Sequence, residues 1–224
     1  MVMLKAPKID LDVHVRTTIE YDYSYISEVS VRMGNDVFQV ASWGEYMLND
    51  MDNIDLPATV GENHEISMQR VNKKKVIYTI KLGSGVDIQI VAFKHFVSVK
   101  VLHGNMDLFQ NASGMMGHFE TTGGDMYARD GVTVMDLKDP DAIGAEWQVR
   151  PQVDGMFFSE KRYPQYPAPC ELPAIEIARP RKLGEADVSK EDAEKACAGV
   201  VEGRRMNCIS DVMKTGDKEM AESY

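Results

Sequence analysis

The amino-acid sequence predicts a mainly β protein: an antiparallel β-sandwich or open barrel with a C-terminal α-helical hairpin. Apolar and polar residues alternate through most of residues 11–101, and glycine-containing turns separate the alternating runs. Helical spacing of apolar residues replaces this alternation only near the C-terminus. Period-two alternation is typical of half-buried strands, and successive strands joined by short turns favour antiparallel pairing.

The first predicted strands lie in residues 11–19, 25–33 and 36–41. Gly34-Asn35 joins the last two of them, and a glycine at the first central position suits a two-residue hairpin. The acidic stretch 44–63 shows no regular period, and we interpret its centre as a solvated turn.

Alternation returns in four further runs, at residues 66–71, 76–82, 86–92 and 97–101. Gly83-Ser84-Gly85 connects two of them as a hairpin. It is followed by a strand and not by a helix, which excludes a dinucleotide-binding loop.

Composition divides the chain into three predicted segments. Residues 1–150 form the β domain. Residues 151–187 hold six of the nine prolines and form an extended connection. We expect Tyr163 and Tyr166 of this connection to pack against the β domain. Residues 188–224 form a helical tail.

The tail is predicted to be a helical hairpin. Ser189 followed by Asp192 resembles a capping box, and a second helix is predicted for residues 205–214. Cys197 and Cys208 lie on the apolar faces of the two helices. In an oxidising compartment they would form a disulfide, and in a reducing one they would serve as small core side chains.

The overall composition narrows the classes of partner. The net charge is −10, which argues against nucleic acid and anionic membranes as partners. No apolar run reaches the roughly 20 residues needed to cross a bilayer, so no membrane insertion is expected. The N-terminal residues hold no apolar stretch long enough for a signal peptide, so none is expected within this sequence, although a mature or truncated secreted chain would look the same. Three cysteines are too few for a disulfide scaffold.

Residues 114–131 contain five of the seventeen glycines. Such density requires either positive backbone φ angles or a close approach of the backbone to a neighbour, which is a ligand or another part of the chain. The motifs in and after this stretch are Gly114-x-x-Gly117, Asp125, Ala128-Arg129-Asp130-Gly131 and Ile143-Gly144-Ala145-Glu146-Trp147-Gln148-Val149.

In this order the motifs resemble the end of a von Willebrand factor type D domain. The tail resembles the helical tail of type D proteins from diatoms and related algae, on the residues Ala193–Cys197 and Cys208–Asp217. The resemblance implies a secreted or cell-surface, non-enzymatic matrix or adhesion module that acts through contacts with extracellular proteins or glycans.

The resemblance also has departures. Met115 and Met116 occupy the position of the family's cysteines, so the usual disulfide there is missing. The family's opening motif is missing too, which implies that the chain is a fragment or that its first strands come from elsewhere.

The family places a calcium site near this stretch, with ligands that would here be Glu120, Asp125 and Asp130. A glycine-rich turn without a metal is the other interpretation, and no other cofactor is expected. Asn111-Ala112-Ser113 is a glycosylation sequon that is relevant if the chain is secreted.

The sequence contains no complete catalytic constellation. There is no His-Glu-x-x-His motif, no phosphate-binding loop and no Gly-x-Ser-x-Gly elbow, and the five histidines are dispersed. We therefore predict no catalytic residues. The competing hypothesis is a secreted hydrolase whose site assembles around His118 and Glu120.

Overall fold

The computed structural model describes residues 1–20, 23–52, 54–61, 63–116, 125–155, 158 and 188–224. The chain divides into two compact units. The first comprises residues 1–18 and 26–171, and the second comprises residues 19–25 and 172–224. The predicted packing of Tyr163 and Tyr166, and the position of Cys170, lie outside the described residues.

Within the described residues, the strands form two antiparallel meanders, in the orders β1-β2-β3-β4-β5-β6 and β11-β10-β9-β8-β7. The mainly β, antiparallel prediction is confirmed, and the two separate sheets do not close into a barrel. The strands are β1 (Val2–Ala6), β2 (Leu11–Glu20), β3 (Tyr23–Met33), β4 (Asp36–Ala41), β5 (Tyr46–Leu48), β6 (Met51–Asp52), β7 (Ala58–Val60), β8 (His64–Arg70), β9 (Lys75–Lys81), β10 (Asp87–Phe93) and β11 (Phe96–Leu102).

One hydrophobic core joins the two sheets of the first unit. Val31 and Phe38 of the six-stranded sheet belong to the same buried cluster as Tyr78 and Ile88 of the five-stranded sheet. The rings of Phe38 and Tyr78 meet edge to face with their centroids 5.6 Å apart. The Tyr78 hydroxyl, which is buried, donates a hydrogen bond of 2.6 Å to the carbonyl of Gly44. In strands such as β9, alternate residues therefore supply the core, as the period-two pattern predicts.

The predicted hairpins are confirmed at Gly34, whose φ is 59°, and at Gly85, whose φ is 87°. The irregular stretch 44–63 contains the short strands β5, β6 and β7 in addition to turns. Strands of two or three residues offer too few positions to show alternation, which is why the sequence did not reveal them.

The outer edge of β1 is covered by residues 113–116. Lys5 and Ser113 exchange two backbone hydrogen bonds of 2.7 and 2.9 Å, and the amides of Met115 and Met116 donate to β1 carbonyls. Gly114 lies at the closest point with φ 126°, and a Cβ placed there would come within 2.5 Å of the Met3 carbonyl oxygen. This glycine therefore serves a close approach between two backbones.

Two short helices complete the described part of the first unit, α1 (Pro140–Glu146) and α2 (Pro151–Asp154). Asp139 caps α1 by accepting a hydrogen bond of 3.0 Å from the Ala142 amide. Trp147 follows α1 and is buried.

The second unit contains the predicted helical hairpin, formed by α3 (Lys190–Ala196) and α4 (Glu202–Thr215). Ser189 caps α3 by accepting a hydrogen bond from the Asp192 amide. A disulfide joins Cys197 to Cys208, and both residues are fully buried. Among the residues that the structure describes, no helix has the length and apolar character required to cross a bilayer.

We predict that Gly114→Ala lowers the free energy of unfolding by about 2 kcal/mol or more, since the new methyl group collides with backbone and adds strain at positive φ. The matched control is Gly131→Ala, where φ is 71° but nothing lies within 4 Å of the new Cβ. It should cost about 1 kcal/mol. Urea unfolding monitored by tryptophan fluorescence measures both. Equal losses would contradict a backbone collision at Gly114.

Candidate functional site

A polar cleft of about 520 Å³ lies in the first unit. It opens where the six-stranded sheet meets the segment that covers β1 and the end of α2. The charged and amide or hydroxyl side chains that line it are Lys5, Asp10, Asp12, Arg32, Asn111, Ser113 and Asp154. This cleft is the candidate functional site.

The acidic end of the cleft is built by the turn between β1 and β2. Residues Pro7–Ile9 form a 3-10 turn that ends on Asp10, whose φ of 47° reverses the chain into β2. Arg32 of β3 donates through Nε and Nη2 to the Asp12 carboxylate, and the Nε bond is 3.1 Å long. Asp10 lies 3.9 Å from the same guanidinium, and 67% of its side chain is exposed. Two carboxylates and one guanidinium leave this end with a net negative charge.

The other end of the cleft is organised by the buried carboxylate of Asp154, none of whose side chain is exposed. It accepts hydrogen bonds from Lys5 Nζ at 3.1 Å, from Arg129 Nη1 at 2.8 Å and from the Arg150 amide at 2.8 Å. We call Lys5, Arg129 and Asp154 the Asp154 cluster. Two cations and one carboxylate give it a net positive charge.

Burial alone would raise the pKa of Asp154. The hydrogen bonds from Arg129, the Arg150 amide and Lys5 outweigh burial and hold the pKa below its ordinary value of 3.8. The carboxylate is therefore ionised at neutral pH, and it is unsuited to donate a proton there.

Arg129 connects the Asp154 cluster to the residues around α1. Its Nε donates to the carbonyl of Glu146 and its Nη2 to the carbonyl of Gln148, both at 2.7 Å. The guanidinium also lies over the Trp147 ring, 4.9 Å from the centroid. In the sequence, Arg129 is recognisable only as part of a motif, and Asp154 falls in the predicted connection 151–187. Their role depends on contacts between residues that are 25 positions apart, for which the local sequence gives no signal.

The residues of the predicted calcium site do not all fall in the described part of the chain. Of the predicted calcium ligands, Glu120 lies outside it and Asp125 is exposed. His118 of the hydrolase hypothesis lies outside it as well. Asp130 closes a turn: its Oδ2 accepts from the Thr133 hydroxyl at 2.6 Å and its Oδ1 from the amides of Thr133 and Val132. These bonds, led by the Thr133 hydroxyl, lower the pKa of Asp130 to about 2.

Among the described residues, no three His, Cys, Asp or Glu side chains are arranged to hold a metal ion. The calcium set of Glu120, Asp125 and Asp130 stays a prediction, and so does the hydrolase site around His118 and Glu120.

The described histidines do not line the cleft. His14 is fully buried in β2, and burial is the main cause that lowers its pKa to about 3, so the ring is neutral at neutral pH. His103 is a surface residue whose Nδ1 lies 3.0 Å from the Asp87 carboxylate.

Asn111 of the predicted sequon lies at the cleft. It is exposed, its φ is 61°, and it follows the 3-10 turn Met106–Phe109. Ser113 of the same sequon pairs with Lys5 of β1. The sequence predicted the sequon, but its position beside Lys5, Asp10 and Arg32 comes from the structure.

The cleft thus presents hydrogen-bond donors and acceptors that ion pairs hold in place. Cations and carboxylates side by side in the lining suit a polar ligand that can both donate and accept hydrogen bonds. No protein-family model matches the chain, and no curated protein matches it significantly. The type D assignment therefore stays a prediction from the motifs.

We predict that Asp154→Asn lowers the free energy of unfolding at neutral pH by about 3–5 kcal/mol, because Arg129 and Lys5 lose their buried countercharge. The folded pKa of Asp154 is depressed, so its stabilising contribution is present above the ordinary value of 3.8 and disappears as the pH falls through the folded pKa. The stability gap between wild type and variant should therefore narrow in acid.

Urea unfolding from about pH 7 down to about pH 3 tests this. The Asp154 carboxylate also favours protonation of His14, whose pKa is about 3, so the same pair is compared in a His14→Gln background to remove that contribution in acid. Asp50→Asn, at an exposed turn residue, is the control and should match wild type throughout. A gap that stays constant in acid would contradict the assigned ionisation.

Proposed function

We propose that this chain is a non-catalytic extracellular matrix or adhesion module of the von Willebrand factor type D kind, which binds proteins or glycans through the polar cleft. The observation that carries the proposal is the cleft itself. Its volume of about 520 Å³ lies within the range typical of ligand sites, and its charged side chains form ion pairs.

The arrangement of charge favours binding over chemistry. Arg32 neutralises Asp12, and Lys5 with Arg129 neutralises Asp154. Catalytic acids and bases usually have pKa values shifted toward the operating pH, whereas the pKa of Asp154 is shifted away from neutrality. Groups held by ion pairs also lose little freedom when a ligand binds, which supports recognition.

The disulfide supports an extracellular location. Cys197 and Cys208 are both buried and bonded to each other, and such bonds form and persist mainly in oxidising compartments. Secretion or display at the cell surface accounts for this bond, and it also makes the Asn111 sequon relevant to modification.

Binding to an array of extracellular matrix proteins and oligosaccharides tests the proposed activity. We predict that Asp10→Asn weakens retention on the recognised ligand by about tenfold, or about 1.4 kcal/mol, because the exposed carboxylate of the cleft loses its charge. Asp50→Asn is the matched control, since Asp10 and Asp50 are both exposed and both have positive φ, at 47° and 60°.

Each retained ligand is then recovered and weighed by mass spectrometry. We expect the mass of the recovered ligand to be unchanged. A hydrolysed ligand would instead favour the hydrolase hypothesis. The cleft would be refuted as the binding site if no protein or glycan on the array retained the wild-type chain. Equal retention of the Asp10→Asn and Asp50→Asn variants would also count against it.

A weak structural calcium site remains part of the proposal, supported by the motif resemblance and by the exposed carboxylate of Asp125. We predict that calcium at about 100 times its dissociation constant stabilises the protein by about 2.7 kcal/mol, seen as a higher Tm. Asp125→Asn should remove the increase, and Asp52→Asn, at another exposed aspartate, should keep it. An unchanged Tm in wild type would eliminate the calcium site.

A further inference from the structure

Asn111 combines two properties that the sequence alone does not connect. It is the acceptor residue of a glycosylation sequon, and its exposed side chain belongs to the lining of the polar cleft. A sugar attached to Asn111 would therefore start at the cleft and not on a distant surface.

The backbone around Asn111 is held firmly. Ala112 is buried, and its amide donates a hydrogen bond of 2.9 Å to the Phe109 carbonyl. Ser113 is paired with Lys5, and Gly114 packs against the β1 backbone. The attachment point of a glycan is consequently fixed relative to Lys5 and the rest of the cleft.

The cleft has the chemistry that a sugar requires. Hydroxyl and acetamido groups both donate and accept hydrogen bonds. The exposed Asp10 carboxylate can accept from them, and the partly exposed Lys5 and Arg32 can donate to them. The lining holds two cations (Lys5, Arg32) and three carboxylates (Asp10, Asp12, Asp154), so a neutral sugar meets a net charge of only −1 there. Because the sugar is tethered at Asn111, its effective concentration in the cleft is high without a strong intrinsic affinity.

We propose that Asn111 carries an N-linked glycan whose first sugars lie in the cleft, so that molecules glycosylated at Asn111 are closed to external ligands while unglycosylated ones can bind them. The inference rests on the proposed extracellular function, since the modification requires the secretory pathway. In the transfer step, Nδ2 of Asn111 bonds to the anomeric carbon of the first N-acetylhexosamine. The bond from that carbon to the pyrophosphate of a lipid-linked donor breaks, and Nδ2 loses one proton.

The first experiment compares the full chain secreted from glycosylating eukaryotic cells, behind a cleavable leader, with the same chain made without glycosylation. Intact mass before and after peptide N-glycosidase treatment should reveal a glycan on the secreted protein and none on Asn111→Gln. Secreted wild-type protein with an unmodified Asn111 would overturn the inference.

The second experiment locates the glycan by labelling carboxylates with a carbodiimide and glycine amide. Labelling of Asp10 should be about tenfold slower in the glycosylated protein, because a tethered sugar covers it. The exposed Asp50 is the internal control and should react equally in both forms. Equal labelling of Asp10 in the two forms would place the glycan outside the cleft and overturn the inference.

Binding to the array separates this inference from the proposed function. If the unglycosylated chain binds and the glycosylated chain does not, both proposals stand. If both forms bind equally, the function stands and closure of the cleft is refuted. If the unglycosylated chain binds nothing while the glycan still protects Asp10, the proposed binding function is refuted and the glycan position stands.

Discussion

The buried carboxylate of Asp154 is the interaction on which the described architecture around the cleft depends. It joins Lys5 of β1 to Arg129 of the loop before α1, and it also fixes the start of α2 through the Arg150 amide. These segments are far apart in the chain. A buried charge is tolerated only where it is fully paired and hydrogen-bonded, so this single carboxylate requires all three segments to come together.

The same requirement explains why Arg129 is suited to its position. A guanidinium offers five donors in a planar arrangement, and here it satisfies the carbonyls of Glu146 and Gln148 as well as Asp154. Its flat face lies over Trp147, which is itself buried. A lysine at this position would lack both the planar set of donors and the stacking surface.

The sheets and the helical hairpin could be predicted from the sequence because their signals are local. Alternation in residues 76–82 and 86–92, the turn at Gly34 and the cap at Ser189 each depend on a few neighbouring residues. The cleft could not be predicted in this way. Asp10, Arg32, Asn111 and Asp154 come together only when the strands have paired, and charged residues in a sequence give no sign of which partner will neutralise them.

The glycine-rich stretch, residues 114–131, combines a signal that is visible in the local sequence with a contact that only the folded chain shows. Glycine density predicted either positive φ angles or a close backbone approach; among the described residues, Gly131 has only the positive φ, and Gly114 has both. The neighbour that Gly114 approaches is the β1 backbone, and this contact depends on the tertiary structure and not on the local sequence. Asn111, three positions earlier, reaches the cleft for the same reason, because it directly precedes the segment that pairs with β1.

The segment that covers β1 also changes how this sheet meets other molecules. An uncovered edge strand offers a row of unsatisfied amides and carbonyls, which can template pairing with a strand of a neighbouring copy. Here the backbone of Ser113 pairs with that of Lys5, and the amides of Met115 and Met116 donate to the carbonyls of Val2 and Met3. The Trp147 carbonyl also accepts a hydrogen bond from the Val2 amide. This covering protects the sheet edge at β1 from intermolecular strand addition and fibril growth.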